Sequence, residues 1–197
     1  MTNFLSLAAI SLAVVSSSDR LDKALKSVKP QPAESTPVEQ IIKVEPKPAV
    51  SCSGCTPNEN KTLNFFHSKG VTDHYALAMI MGSIKQESNF KPSVCEGGYI
   101  TSWAGCTRGG YGLIQFTSSH RYYGLGSYAK RIGQAPEDLD TQLKYIVTEK
   151  EWLTASSIFK KDGLGMPSYD YAGKIWLGYG IKGNRLNYAW QYVSRIS

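Results

Sequence analysis

No apolar run in this 197-residue chain is long enough to cross a bilayer. The run "FLSLAAISLAVV" at residues 4–15 falls well short of the roughly 20 apolar residues that a spanning helix needs. Histidines are few, and His67, His74 and His120 lack the spacing of metal ligands, so they read as surface or helix-end residues and no cofactor is expected. Clustered Lys and Arg interleaved with aromatics are missing too, which argues against a nucleic-acid partner. No internal repeat is visible, which argues against a solenoid. Aromatic residues are nearly absent from the first third: of 22, only Phe4 precedes Phe65.

That last absence divides the chain. Six of the nine prolines lie before residue 58, so a packed core belongs to residues 60–197, a stretch long enough to bury one. Charge divides in the same place. Residues 1–59 hold six Lys/Arg against six Asp/Glu, whereas residues 60–197 hold sixteen against ten and carry the whole net charge of +6. A basic folded domain points to an anionic partner, such as an acidic wall polymer. Residues 1–28 read as an apolar docking helix or a signal-like segment. The short apolar run has the length of a signal core, but no Lys or Arg precedes it. Leu21, Leu25 and Val28 continue helical spacing beyond it. Residues 29–59 read as an extended linker, because prolines at 30, 32, 37, 46 and 48 block helix and favour polyproline conformations.

The domain itself reads as mainly α with one small β element. "NKTLNFFHSKG" predicts a short helix closed by Gly70. "TDHYALAMIMGSIKQE" predicts a longer one, capped by Thr72, with Ala76, Ile80 and Ile84 on one face. Residues 95–117, rich in Gly, Tyr and Thr, predict a loop or β-hairpin. Helices are expected again in "SSHRYYGLGSYAKRIG", in "SYDYAGKIWLGYG" and in "RLNYAWQYVSRI". The clearest is "APEDLDTQLKYIVTEKEWL", with Pro136 near its start and acids in its first turn.

Glu87 stands where the second of these helices gives way to a loop, ahead of the glycine-rich "GGYGLIQF". Cleaving a glycosidic bond needs a carboxylic acid that keeps its proton near neutral pH. A helix C-terminus opposes ionisation, and Ile84 and Phe90 are expected to raise the pKa of Glu87 further by surrounding it with apolar surface. Glycines let a backbone approach a sugar chain closely, and Gln115 could hydrogen-bond an N-acetyl group.

"ESNFKPS" followed by "GGYGLIQFT" resembles the paired motifs of the lysozyme-like group that contains lytic transglycosylases and goose-type lysozymes. Residues 60–195 as a whole resemble its phage tail lysozyme branch, through "NFFHSKGVTDHYALAMIMGSIKQESNF", "DLDTQLKYIVTEKEW" and "RLNYAWQYV". The resemblance implies an α+β lysozyme-like fold and cleavage of peptidoglycan glycan strands. It makes Glu87 the catalytic acid/base and Ser88 its neighbour, and it sets Gly110, Gly112 and Gln115 beside the substrate. It also implies attachment to a phage tail or baseplate through residues 1–50, action in the host periplasm and no membrane partner. The rival expectations are a periplasmic transglycosylase and a non-catalytic glycan-binding tail protein. The chain departs from the group's pattern in the lengthened insert "VCEGGYITSWAGCTRG". It only loosely echoes the Tyr-rich third motif, which assigns Tyr169 or Tyr171 to the groove.

Tyr99, Trp103 and Tyr111 lie in the expected groove loop, where they could stack on sugar rings or pack in the protein, while Phe65, Phe66 and Trp152 read as core. A second acid is not marked; Glu96, Asp138, Asp140 and Asp170 are the candidates. With one, hydrolysis follows; without one, the sugar's C6 hydroxyl attacks and an anhydro product forms. Cys52, Cys55, Cys95 and Cys106 allow two disulfides in any of three pairings, a four-thiolate zinc site or free thiols. A Cys95–Cys106 bridge would close the ten-residue insert beside the site.

Overall fold

A computed structural model describes residues 50–197, so the N-terminal docking helix and most of the linker lie outside the described residues. The fold begins earlier than residue 60. Helix α1 (Pro57–Ser68) opens with a full capping box: Thr56 Oγ1 accepts from the Glu59 amide, and Glu59 Oε2 accepts from the Thr56 amide at 2.7 Å. Pro57, counted with the linker on composition, is a first-turn helix proline. Just upstream, Ser51 and Ser197 exchange backbone hydrogen bonds, so the start of the domain is paired to its last residue.

Six more helices follow: α2 (His74–Ser88), α3 (Ser119–Ile132), α4 (Leu139–Ile146), α5 (Lys150–Phe159), α6 (Met166–Leu177) and α7 (Arg185–Val193). The β element is reduced to isolated bridges, Val94–Ile100 and Cys95–Tyr111, with a 3-10 turn at Trp103–Gly105. A third bridge, Cys52–Ile196, joins the two ends of the domain. The fold is therefore mainly helical, as the pattern predicts.

Two boundaries differ from the sequence reading. Asp73 caps α2, its Oδ1 accepting from the Tyr75 and Ala76 amides, while Thr72 turns its hydroxyl to Asp162. The stretch expected as one long helix from Pro136 to Leu153 breaks at Val147–Glu149. Thr148 bonds back to the Tyr145 carbonyl, a local competitor of helix propagation. Glu149 turns inward to a two-pronged ion pair with Arg121 of α3, at 2.8 and 2.7 Å.

Helix α2 is the centre of the domain, with every residue from Ala76 to Ile84 buried. Against it lie an aromatic cluster of Phe66, Trp152, Phe159 and Trp176 and, on α7, Ala189 and Tyr192. The α2–α7 contact is backbone on backbone. A methyl group at Gly82 would stand 2.6 Å from the Arg185 carbonyl oxygen and 2.8 Å from Ala189 Cα.

Two predictions follow from this packing. On an exposed helix Gly→Ala gains about 1 kcal/mol. At Gly82 the added methyl meets main chain that cannot swing aside, so Gly82→Ala lowers the unfolding free energy by about 1–3 kcal/mol. Urea unfolding measures this, and an unchanged or raised midpoint contradicts it. The second concerns Glu59. Burial works to raise its pKa, but bonds from the Tyr192 hydroxyl and from Thr56, with the Arg195 charge, outweigh burial and hold it below its ordinary value of 4.5. A depressed folded value stabilises above the unfolded value and is lost as pH falls towards the folded one. Urea midpoints therefore drop less on acidification in Glu59→Gln than in the wild type; identical acid profiles contradict this.

Candidate active site

Glu87 occupies the last turn of α2, which ends because Asn89 and Phe90 both adopt positive φ, 49° and 60°. That turn drives Phe90 into the core beside Tyr192, where the Asn58 side chain holds its carbonyl. Ile84 and Phe90, expected to surround Glu87 with apolar surface, are both buried in the core. The polar partner of Glu87 is Arg185, whose guanidinium donates from Nη2 to Glu87 Oε1. The side chains of the pair are 15% and 6% exposed, so Glu87 meets solvent while Arg185 is enclosed behind it.

Glu87 opens into a cleft of about 540 Å³, shared with Lys85 and Lys91, with Glu96 and Gly97 of the insert, and with Gln115 and Thr117. Of the four candidate second acids, Glu96 faces this cleft. Asp140 is paired with Lys61 at 2.7 Å, Asp170 with Lys182 at 2.5 Å, and Asp138 is an exposed residue ahead of α4.

The glycine-rich segment has a structural explanation. Gly109 has φ +73°, and a methyl there would lie 2.5 Å from Glu96 Cβ and Cδ. The Gly110 amide donates to Glu96 Oε2 at 2.9 Å, and Glu96 returns a backbone bond to the Gly110 carbonyl. A methyl at Gly112, also at φ +73°, would lie 2.5 Å from Gln142 Oε1. These glycines seat a carboxylate and a carboxamide against main chain. The amide is itself fixed. Gln142 Oε1 accepts from the Leu113 amide at 2.7 Å, and its Nε2 donates to the Pro92 and Pro136 carbonyls at 2.6 and 2.8 Å. Gln142 thus ties the Glu87 loop, the glycine segment and α4 together. Ser88 adds a second tie, its buried hydroxyl donating to the Leu113 carbonyl at 2.7 Å.

Of the residues expected at the site, Glu87, Ser88 and Gln115 line the cleft. Gly110 and Gly112 are buried behind it, Gly110 packed against Gln115 and Thr117 and Gly112 against Gln142. Gln115 holds a left-handed backbone (φ +52°), and its amide nitrogen bonds the Gly112 and Val94 carbonyls. The aromatic residues lie elsewhere. Tyr111 is core: it is fully buried, its hydroxyl donates to the Thr101 carbonyl, and burial raises the pKa of its phenol. Trp103 stacks on Tyr122 at 5.0 Å and fits over Gly126, clamping the insert to α3. It borders a separate cavity of about 530 Å³ together with Arg108 and Tyr123. Tyr99 is exposed and borders neither cavity. Tyr171 is 61% exposed on α6, and Tyr169 is buried core. All four cysteines are in disulfides, Cys52–Cys55 and Cys95–Cys106, so the insert is closed and neither cross-pairing nor a four-thiolate site forms.

The sequence reading passed over Gln142 and Arg185. Both are polar residues inside amphipathic helices, and their partners lie 29, 50 and 98 positions away. Arg185 is also anchored from the other side. Its Nη1 donates to the Ile181 and Lys182 carbonyls, and its plane stacks 4.0 Å from the centre of the Tyr179 ring. Burial, reinforced by the Asp170 charge and opposed by Arg185, pushes the Tyr179 phenol up to about 12, so the guanidinium rests on a neutral ring.

A helical domain that brings an acid from a helix end to face a short disulfide-closed insert across an open cleft has the architecture of a lysozyme-like protein. The chain belongs to the phage tail lysozyme family, whose match spans residues 57–185. That membership assigns it a lysozyme-like function on peptidoglycan and an association with virions. No curated protein matches the chain. Among the described residues, no helix is long and apolar enough to cross a membrane.

Gln142→Ala orphans the buried Leu113 amide, at a cost on the order of 1–3 kcal/mol, and removes the donor from the half-buried Pro92 and Pro136 carbonyls. It is expected to destabilise the domain by about 1–3 kcal/mol, read by urea unfolding; a loss below about 1 kcal/mol would mean the tie is not structural.

Proposed function

We propose that the domain hydrolyses the glycan strands of bacterial peptidoglycan, with Glu87 as the acid and Glu96 as the second carboxylate. The observation that carries this reading is that the two carboxylates come from different segments and line one open cleft, with Gln115 beside them. Glu87 gives its proton to the glycosidic oxygen as the C1–O bond breaks. Glu96, oriented by the Gly110 amide, takes a proton from the water that attacks the anomeric carbon. Exchange with solvent then resets both groups. Gln115 suits the N-acetyl group, because its amide nitrogen is already engaged and its carbonyl oxygen takes no protein donor among the described residues. Lys85 and Lys91 give the cleft a basic rim that favours an anionic wall polymer.

We further infer that residues 1–50 attach the domain to a phage tail or baseplate, so that it works at the host wall. What supports this is the family and the sharp change of composition between the proline-rich stretch and the aromatic-rich domain.

The test is release of soluble fragments from purified peptidoglycan, with products weighed by mass spectrometry. Glutamine at position 87 can still accept from Arg185, so a loss in Glu87→Gln reports the missing proton rather than a broken fold. Removing a general acid or base costs about 10²–10⁴ in rate, and a loss in that range is expected for Glu87→Gln and for Glu96→Gln, both still binding the wall. Wild-type products should carry reducing ends. Anhydro products, with turnover that survives in Glu96→Gln, would make the domain a transglycosylase. Wall binding without turnover by the wild type would make it a non-catalytic tail protein.

A further inference from the structure

We propose that Arg185 is a positioning residue for Glu87. It fixes the carboxylate in the cleft and takes up the negative charge left there when the proton passes to the glycosidic oxygen. The inference rests on the reading of Glu87 as the acid.

One nitrogen and one face of the guanidinium are committed before Glu87 is considered. Nη1 is taken by the Ile181 and Lys182 carbonyls, at 3.0 and 2.5 Å, and one face by the Tyr179 ring. Nε is buried and has no hydrogen-bond partner. Nη2 is left, and it points at Glu87 Oε1. Arginine's planar fork is rigid, so a guanidinium held through Nη1 and stacked on one face presents Nη2 in one fixed direction. The other charged side chains on the cleft are occupied elsewhere or exposed. Lys85 lies over the Tyr188 and Tyr192 rings, Glu96 is held by Gly110, and Lys91 is solvent-exposed. Among the described residues Arg185 is the cation bonded to Glu87.

The chemistry gives this arrangement a use. When Glu87 acts, its O–H bond breaks and an O–H bond forms on the glycosidic oxygen. The C1–O bond breaks with its electron pair moving to that oxygen, and Glu87 remains as a carboxylate. A preorganised, enclosed donor aimed at the place where charge develops stabilises the transition state more than water can. Arg185 therefore stabilises the carboxylate that the step leaves on Glu87. A residue that merely closed the Gly178–Asn184 loop would need its bonds to Ile181 and Lys182, but not the contact with Glu87.

Arg185→Met, Arg185→Lys and Glu87→Gln are compared with the wild type on soluble peptidoglycan oligomers, with thermal melting recorded for each. Loss of an electrostatic stabiliser costs about 10²–10³ in turnover, and Arg185→Met is expected to fall by about 10² in kcat with KM within about twofold. Added methylguanidinium should recover at least a tenth of the lost rate without raising the melting temperature, because it refills the site rather than the fold. Should Arg185→Met not fold, Arg185→Lys decides. Its ammonium keeps the charge but cannot fill the fork, and a kcat about tenfold below wild type is expected. Wild-type kcat in either folded variant, a loss confined to KM, or no recovery with methylguanidinium overturns the inference. Turnover by Glu87→Gln would instead overturn the reading of Glu87 as the acid, so the two failures are separable.

Discussion

The close crossing of α2 and α7 is the constraint on which the site depends. At Gly82 the two helices meet main chain to main chain, with no room for a methyl group between Gly82 and the Arg185–Ala189 turn. Glu87 lies five residues beyond Gly82 on α2, and Arg185 lies one turn before Ala189 on α7. Bringing the helices together at the glycine therefore brings the carboxylate and the guanidinium together at the surface end of the same contact. A wider separation would leave Arg185 enclosed without its acid partner, and a buried charge that loses its partner costs about 3–5 kcal/mol. Packing and electrostatics are satisfied by one geometry.

The residues facing Glu87 across the cleft are seated by a second device of the same kind. The chain from Gly109 to Gly112 passes so near its neighbours that a side chain at Gly109 would collide with Glu96, one at Gly110 with Gln115 and Thr117, and one at Gly112 with Gln142. The glycines thus place polar groups. Gln142 then joins this segment to Pro92, just past the Glu87 turn, while the Cys95–Cys106 bridge and the Trp103–Tyr122 stack pin the insert that carries Glu96. Both carboxylates are held by fixed partners, Glu87 by Arg185 and Glu96 by the Gly110 amide, yet both border open space where a glycan strand could lie.

Much of this was legible in the sequence. Ala76, Ile80 and Ile84 announce α2, the break after it announces the turn at Asn89, and Glu87 stands out by its place at that junction. The glycine segment announces a close approach, but not what approaches. Spacing reports which face of a helix is buried, whereas the residues that organise this site are polar side chains satisfied by distant main chain. Gln142 looks like an ordinary residue of an amphipathic helix until Pro92, Leu113 and Pro136 converge on it. Arg185 looks like a first-turn residue of the last helix, and nothing local ties it to an acid 98 positions earlier. The aromatic residues misled for a related reason. Tyr111, Trp103 and Tyr169 are used to pack and clamp the protein, and composition alone does not separate a ring that stacks on a sugar from one that stacks on Tyr122.

The central claim, that the Glu87 cleft is where a glycan strand is cut, is tested most directly by a crystal structure of Glu87→Gln with a soluble peptidoglycan oligomer bound. The account predicts a glycosidic oxygen within hydrogen-bonding distance of the residue 87 side chain, a sugar flanked by Gln115 and Glu96, and Arg185 still seated on Tyr179. An oligomer bound only in the separate cavity beside Trp103 and Tyr123, with the Glu87 cleft empty, would contradict it.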